Sequence, residues 1–218
     1  MIRSAPSCCV PWLLVMSLCA RAQSAPPEFS ADIVSHDAAG TPGAVSKLRV
    51  ANHKARIDPD DPSGGFFITD TEAGTAYFVK PTQRLFMDAG QSSLLSRIFV
   101  RVDPHDPCRQ WQAAAIASGA LSAGNWRCEQ VGSAPADGIM EYRLLWPAQP
   151  LSRRWIDPHL EFPIKLQSPE GTSLMLENIR VEAQPANLFA IPADYRKLDP
   201  RALLERIKHS DVWAAPDR

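Results

Sequence analysis

The side chains best suited to acid–base or metal chemistry are scattered along this sequence. Its five histidines stand far apart, at His36, His53, His105, His159 and His209. Zinc sites in short domains usually place two ligands within a few residues of each other, and the sequence contains neither an H-x-x-x-H nor a C-x-x-C pattern. The scatter therefore predicts neither a zinc centre nor a histidine-based active site.

Two short acidic segments are the remaining candidates for cation binding or catalysis. Asp58, Asp60 and Asp61 stand among prolines and glycines, and their spacing lacks the ligand pattern of an EF-hand. Because these residues are turn formers, the segment predicts a solvated loop, with calcium binding by the Asp58–Asp61 segment as the alternative. In the second segment, Asp103–Asp106, a carboxylate stands next to an imidazole, but the proline there favours an exposed turn.

The serine and glycine residues around position 64 do not form a catalytic motif. Ser63–Gly65 lacks the G-x-S-x-G frame of a nucleophile elbow, and the two glycines have neither the lysine nor the helix of a phosphate loop. We find no hydrolase signature in the sequence. We therefore predict that the protein is not an enzyme and that it uses no cofactor.

Residues 1–22 have the pattern of a secretory signal peptide. An apolar run, Cys8–Ala20, follows Arg3, and the Ala20–Ala22 tripeptide matches the small-x-small cleavage rule. The run of about 13 residues is too short to cross a bilayer of about 30 Å, and no later segment is longer and apolar. We therefore predict cleavage after Ala22 and a periplasmic protein that does not span the membrane.

The chain that remains after cleavage keeps two cysteines, Cys108 and Cys128. An even pair in an exported protein most often forms one disulfide, and two free buried thiols or a metal site are the alternatives. A disulfide between them closes a loop of about 21 residues, which the chain-entropy treatment makes worth on the order of 3 kcal/mol. We predict a structural disulfide with no redox role.

The length and charge of residues 23–218 indicate one acidic domain. Cleavage removes Arg3 and Arg21, which leaves three more acidic than basic side chains and gives no attraction for nucleic acid. A length of about 196 residues suits one domain with a sizeable core, and the sequence shows no internal repeat and no long linker. We therefore predict a single domain over 23–218.

Short alternating segments predict that strands dominate this domain. In the second half, Arg153–Val181 contains three extended segments separated by turns at Asp157-Pro158 and at Ser168–Gly171, where proline and glycine stop strand pairing. Before it, Gly138–Trp146 alternates strictly, with apolar side chains on one side. In the strand Thr172–Glu182 the alternation changes parity, which indicates either a β-bulge near Glu177-Asn178 or a strand covered on both faces.

The first half contains a series of three hairpin strands that is apolar on both faces. The strands are predicted at Phe66–Asp70, Thr75–Lys80 and Arg84–Asp88. Phe66 and Ile68 share one face, as do Tyr77 and Val79, and then Leu85 and Met87, whereas Phe67, Phe78 and Phe86 are predicted to point to the opposite face. A sheet that is apolar on both sides must be covered on both, by helices, by its own curvature or by a ligand.

Three short helices are predicted beside these strands. Gly90–Val100 has apolar residues at the spacing of one buried stripe, and Cys108–Ala117 is rich in alanine. At Asp199–His209, the opening Asp-Pro pair supplies an N-cap and a first-turn proline. If the two cysteines are bonded, the second of these helices is tied to the strand predicted at Trp126–Val131.

Three motifs in the second half of the sequence resemble the superfamily of bacterial lipoprotein carriers typified by LolA and LolB. They are Trp155–Pro158, Phe162–Lys165 and, after a long strand, Pro185–Pro192. In that superfamily a W-x-D-P turn, a proline-led strand and an L-F-x-I-P exit follow one another in this order. Phe66–Asp70, Ala76-Tyr77 and the pair formed by Pro107-Cys108 and Cys128 look like a poorly characterised exported branch of the superfamily.

The resemblance implies an α+β fold, a strongly curved antiparallel sheet of about ten strands forming an unclosed half-barrel. Two or three short helices would lie on its concave side or at its edge, and the concavity would hold acyl chains or a similar apolar ligand. The candidate ligand-binding set is aromatic, with ordinary core packing as the alternative for each residue: Tyr77, Phe78, Phe86, Tyr142, Trp146, Trp155 and Phe162.

The function predicted from these observations is that of an exported, non-catalytic binding protein. Its partner would be a lipid or the acyl chains of a lipoprotein, held in the hollow of the sheet. The alternative is an envelope structural or protein-interaction protein whose cavity is filled by its own helices. The volume and lining of the concave face distinguish the two.

Overall fold

The structure is a computed structural model that describes residues 25–62, 64–89, 98–117, 126–132, 138–146 and 149–199. Three predicted segments lie wholly or largely outside the described residues. They are the signal peptide at 1–22, the helix at 90–100 up to residue 97, and the C-terminal helix beyond Asp199.

Twelve strands form a single unclosed, curved sheet, which confirms the predicted α+β class. Their bounds are β1 (Phe29–His36), β2 (Pro42–Ala51), β3 (Lys54–Asp58), β4 (Phe66–Asp70), β5 (Thr75–Lys80), β6 (Leu85–Asp88), β7 (Arg127–Gln130), β8 (Met140–Trp146), β9 (Gln149–Asp157), β10 (Phe162–Gln167), β11 (Ser173–Val181) and β12 (Arg196–Lys197). The spatial order is β12-β6-β5-β4-β3-β2-β1-β11-β10-β9-β8-β7. Each pairing between neighbours is antiparallel, except that β12 runs parallel to β6.

The sequence predicts about ten strands, and β12 is one that it does not reveal. This strand has two residues and is held by backbone hydrogen bonds from Arg196 N to Arg84 O, at 2.9 Å, and from Leu198 N to Phe86 O, at 2.7 Å. A two-residue strand is too short to carry an alternating pattern, so only the tertiary structure defines it.

One α-helix, α1 (Pro107–Ala117), is described, together with 3-10 helices at Pro81–Gln83 and Ala186–Phe189. The Cys108–Cys128 disulfide joins α1 to β7, with 5.6 Å between the two Cα atoms. The predicted bond is thereby confirmed, and it fixes α1 against one end of the sheet.

The turns of the β9–β11 meander form where the sequence predicts them. The Asp157 carboxylate accepts hydrogen bonds from the backbone N–H groups of His159 and Leu160, at 2.8 and 3.2 Å, so this side chain closes the β9–β10 turn. In the β10–β11 turn, Gly171 has φ +92°, a left-handed conformation that glycine adopts without strain.

The parity change in β11 is a β-bulge. Ser30 of β1 lies opposite Arg180 and Asp32 lies opposite Glu177, so β11 contains one extra residue in this interval. Asn178 has φ +52°, the left-handed conformation found at such bulges. Val181, beyond the bulge, is 65% exposed, which rules out the alternative of a strand covered on both faces at this point.

We call the side of the sheet that carries Phe29, Leu48, Ile57 and Phe162 the inner face. These side chains are fully buried in one cluster with Ile98 and Phe99, which follow β6, and with Leu160 from the β9–β10 turn. The Phe29 and Phe162 rings meet edge to face at 5.2 Å. The centre of the inner face is therefore filled by the chain itself.

The opposite side, which we call the outer face, carries a second apolar cluster on β4–β6. Phe66, Ile68 and Val79 are buried there, and Ile191 and Tyr195 pack on them from the segment that follows β11. The two-sided apolar hairpin series is thus covered on its outer face by the C-terminal part of the described chain.

One predicted orientation in this hairpin series is wrong. Phe86 lies opposite Val79 in the β5–β6 register, so its side chain shares the outer face with Tyr77 and not the inner face with Phe78. Met87 lies opposite Phe78 and takes the inner position instead. Side chains alternate between the two faces within β6 as predicted. The pairing of β6 with β5 across the turn, which contains a 3-10 helix, differs by one residue from the expected pairing.

A buried arginine joins three loops at one end of the sheet. Arg101 is 7% exposed, and its guanidinium donates hydrogen bonds to the carbonyl oxygens of Asn52, Leu160 and Pro27. The bonds to Leu160 and Pro27 measure 2.8 and 2.5 Å. Arg101 therefore holds the β2–β3 turn, the β9–β10 turn and the N-terminal segment together. Burial lowers its pKa below the ordinary value of arginine.

Candidate functional site

The inner face is fully buried at its centre but partly exposed at its margins. Phe67 on β4 is half-buried on one side of the central cluster, and Ile164, Leu166 and Leu174 are half-buried on the other side. Leu166 of β10 lies directly opposite Leu174 of β11, so these two side chains form a continuous apolar strip. This strip is the apolar surface of the inner face that extends towards β9.

A second buried cluster, which we call the α1 cluster, continues the inner face across β8 and β9. It comprises Val102, Trp111, Tyr142, Leu144 and Ile156. The alternation of β8 places its even-numbered residues on the inner face, and Trp111 lies one helical turn after the disulfide-bonded cysteine of α1. The Trp111 and Tyr142 rings meet edge to face at 5.7 Å.

Arg154 lies between the apolar strip and the α1 cluster. In the sheet it stands opposite Tyr142 of β8 and opposite Leu166 of β10, so its side chain belongs to the inner face. Its guanidinium carbon is 4.6 Å from the centre of the Trp111 ring. The arginine thus packs on an aromatic face at the point where two apolar surfaces meet.

The Arg154 guanidinium has no acceptor among the described residues. Its Nε atom is buried without a hydrogen-bond partner, and Arg154 takes part in none of the ion pairs of the described chain. Burial lowers the pKa of Arg154 to about 10, so the side chain is a cation at neutral pH. The side chain as a whole is still partly exposed, and this exposure lies away from Nε.

Two further donors of the α1 cluster lack a strong acceptor. In the described part of the chain, the indole Nε1 of Trp111 is buried without a partner, and the Tyr142 hydroxyl donates only to the sulfur of Met140, at 3.7 Å. Burial raises the pKa of Tyr142, and the nearby Asp106 carboxylate adds to the rise. The cluster therefore offers N–H and O–H donors in an apolar setting and provides few acceptors for them.

Three of the seven aromatic residues predicted to bind ligand lie on the inner face. Tyr142 and Phe162 are buried there, in the α1 cluster and in the central cluster respectively. Phe78 is half-buried, 4.9 Å from the Phe67 ring, and it lies over Gly65, where an added Cβ would meet its ring at 2.2 Å. The close approach of the ring requires glycine at position 65.

Three other members of the set lie on the outer face, so the predicted residues do not line one surface. Tyr77 and Phe86 meet edge to face at 5.5 Å in the outer cluster. Trp155 lies between two cations, with its ring centre 5.3 Å from the Arg153 guanidinium and 4.7 Å from the Lys165 ammonium. Trp146 belongs to β8, but its side chain lies outside the described residues.

The acidic segments form ion pairs and turns. The Asp58 carboxylate binds Arg56, at 2.7 Å, and Arg49, at 2.8 Å. In the second segment, His105 N donates to the Asp103 carboxylate at 2.9 Å, which confirms the predicted turn. Within the described ranges, no group of three or more histidine, cysteine, aspartate or glutamate residues is arranged to hold a metal ion.

Sequence reasoning missed Arg154, although the sequence contains a signal for it. Along the extended run Arg153–Ile156, successive side chains alternate between the two faces of the sheet. Arg154 therefore lies on the same face as Ile156, which is apolar and buried, and Arg153 lies on the same face as the outer Trp155. An arginine on the parity of the core is unusual because burial of a charge is costly without a partner.

Comparisons with known proteins identify neither a family nor a function. No family model matches the chain, and no curated protein matches it. Among solved structures, an uncharacterized conserved protein from Thermus thermophilus is similar at 12% identity and a TM-score of 0.41, over 79% of this chain and 90% of that one. PNGF-II is similar at 7% identity and a TM-score of 0.49, over 84% of this chain and 33% of its own. MucB is similar at 12% identity and a TM-score of 0.38, over 77% of this chain and 58% of its own.

These likenesses, all with TM-scores below 0.5, carry no argument about the ligand or the activity of this chain. The candidate site therefore depends on the geometry of the inner face alone. Of the helices in the described part of the chain, none is long and apolar enough to cross a membrane.

Proposed function

We propose that the protein is an exported, non-catalytic binding protein that holds a lipid or another apolar ligand against the inner face of its sheet, as the resemblance to the lipoprotein carriers implies. The ligand lies along the half-buried strip formed by Leu166 and Leu174, next to the half-buried Ile164. The disulfide between Cys108 and Cys128 is consistent with an exported protein.

The observation that carries this proposal is the uneven burial of the inner face. Its centre is filled by the chain, but the strip at β10 and β11 remains partly open, next to the α1 cluster. An apolar surface beside a small number of polar groups is the usual lining of a small-molecule site. Most of the predicted hollow is self-filled, so the proposed ligand is bound at the margin and not at the centre.

Ligand extraction and titration test the proposal directly. Protein purified from its own compartment is analysed by native mass spectrometry and lipid extraction, and then titrated with a fluorescent fatty acid. We expect a co-purified apolar molecule and saturable uptake, reduced at least about tenfold in a Leu166→Glu, Leu174→Glu double variant because two charges would enter the binding surface.

The control is Val45→Glu, which adds one glutamate, against two in the double variant, on the outer face at a side chain that is 37% exposed. Circular dichroism and thermal unfolding establish that each variant is folded. Equal uptake by the double variant and the control, or no uptake by the unmodified protein, contradicts the proposal.

The second candidate is an envelope protein that meets a protein partner, and the filled centre of the inner face favours it. Phe29, Leu48, Ile57 and Phe162 leave no space for a ligand among them. Trp155, flanked by cations on the outer face, would then mark the contact surface. Photo-crosslinking from position 155 in the native compartment, with position 45 as the control, distinguishes this candidate: one defined adduct from 155 alone supports it.

A further inference from the structure

We propose that Arg154 binds the carboxylate of a single-chain amphiphile, so that the ligand of the inner face is an acyl chain with an anionic end. This inference rests on the proposed function and specifies the class of ligand. The carboxylate lies at Arg154, between β8 and β10, and the chain extends from it along Leu166 and Leu174.

The first argument is the excess of donors around Arg154. Among the described residues, Arg154 Nε and Trp111 Nε1 are buried without acceptors, and the Tyr142 hydroxyl meets only a sulfur atom. Buried polar groups are nearly always paired in native proteins, because each unpaired group forfeits the hydrogen bonds it made with water. These unpaired donors show that acceptors are scarce here, and a ligand would meet the exposed part of the Arg154 side chain, which an oxyanion complements because it accepts hydrogen bonds and donates none.

The second argument is charge. Arg154 is a cation on the inner face without a carboxylate partner among the described residues, whereas Arg153, its neighbour on the outer face, is paired with Glu141 at 2.6 Å from its Nε. Arginine and carboxylate match in geometry as well as in charge, since the planar guanidinium donates two parallel hydrogen bonds to the two carboxylate oxygens.

The third argument is the position of the apolar strip. Leu166 stands directly opposite Arg154, and Leu174 stands opposite Leu166 on the next strand. Neighbouring strands are about 4.8 Å apart, so the strip begins one strand from the cation and continues for a second. A molecule with a charged end and an unbranched apolar chain fits this order of surfaces.

The experiment compares palmitate with hexadecanol, which has the same chain length and no charge. Both are titrated by displacement of a fluorescent probe at neutral pH, with the unmodified protein, Arg154→Met and Arg153→Met. We expect the unmodified protein to prefer palmitate at least about tenfold, which corresponds to about 1.4 kcal/mol. Arg154→Met should lose this preference while its affinity for hexadecanol is retained, and Arg153→Met should behave as the unmodified protein.

A stability measurement accompanies the titration and shows that the variant is folded. Replacing a buried cation that has no partner by an apolar side chain of similar length should raise the melting temperature of the ligand-free protein by about 2–4 °C. Palmitate should then stabilise the unmodified protein further and leave Arg154→Met almost unaffected. A purely structural role of Arg154 predicts the opposite sign, a lower melting temperature of the variant.

The outcomes separate this inference from the proposed function. If neither palmitate nor hexadecanol binds, the proposed function fails, and the inference with it. If both bind equally and Arg154→Met changes neither affinity, an apolar ligand is supported and the carboxylate site at Arg154 is overturned. If hexadecyl phosphate binds in an Arg154-dependent manner and palmitate does not, the carboxylate assignment is likewise wrong.

Discussion

Arg101 is buried and Arg154 is partly buried, and the two arginines differ in the supply of hydrogen-bond acceptors around them. Arg101 donates to three backbone carbonyl groups, from the N-terminal segment, the β2–β3 turn and the β9–β10 turn. Arg154 lies on Trp111, and its Nε has no hydrogen-bond partner within the described ranges. Burial lowers the pKa of both side chains, that of Arg154 to about 10.

The difference separates a group that holds the fold together from a group that is available to a ligand. The three carbonyls around Arg101 have the right charge and position to compensate for its burial, so the region is complete as it stands. Around Arg154 the side chains of the α1 cluster are packed, but two buried donors, Arg154 Nε and Trp111 Nε1, lack an acceptor among the residues that the structure describes. A region that folds with unmet donors commonly does so because function requires it.

The largest expected effect comes from replacing Arg101, whose guanidinium donates to three carbonyl groups. Arg101→Met should destabilise the protein by roughly 3–5 kcal/mol, because three carbonyls lose charge-assisted hydrogen bonds. Urea-induced unfolding at neutral pH measures the change. A loss below about 1 kcal/mol would mean that water replaces the guanidinium at these carbonyls, and the distinction between the two arginines would weaken.

The next largest effect is expected from removing the disulfide that borders the α1 cluster. A Cys108→Ser, Cys128→Ser double variant should lose on the order of 3 kcal/mol of unfolding free energy, because the loop of the unfolded chain is no longer closed. Since α1 carries Trp111, the preference for palmitate over hexadecanol should fall as well. Retention of the full preference would show that α1 is positioned without the bond.

Replacing Arg154 should change the stability of the protein in the opposite direction. Arg154→Met is expected to gain about 1–2 kcal/mol at neutral pH, because a buried charge without a partner is lost. The folded-state pKa, about 10, lies below the unfolded value, so the unmodified protein gains stability as pH rises above about 10. The gap between variant and unmodified protein should therefore narrow at high pH. Urea unfolding at neutral pH and at about pH 11, above the folded-state pKa, tests both statements.

The smallest effect should come from the arginine next in sequence. Arg153 is partly exposed and paired with Glu141 on the outer face, so Arg153→Met should change stability by less than about 1 kcal/mol. A chemical-denaturation midpoint shifted as far as that of Arg154→Met would show that the two positions are equivalent and would remove the contrast between the faces.

Much of the strand framework could be predicted from the sequence, because it is encoded locally. β1, β4 and β5 have the predicted bounds, and the bulge at Asn178 follows from a change of parity within one strand. The disulfide follows from cysteine arithmetic. These features need no knowledge of what packs on the sheet.

The orientation of Phe86 and the importance of Arg154 could not be predicted in the same way. The face of Phe86 depends on the register across a turn that contains a 3-10 helix, and one residue of slip reverses every side chain. Arg154 follows a second arginine in the sequence, and two adjacent basic residues are ordinarily solvated. Its orientation towards the inner face is therefore not recognised until the position of Trp111 is known.

The short strands at the two ends of the sheet also affect how the protein behaves at high concentration. β12 has two residues and β7 has four, three of them exposed and two of those charged, Arg127 and Glu129. Each rim therefore offers few free N–H and C=O groups to a strand of another molecule. In a sheet of this width, long unpaired edge strands would template fibril growth, whereas these short edge strands give the sheet resistance to aggregation.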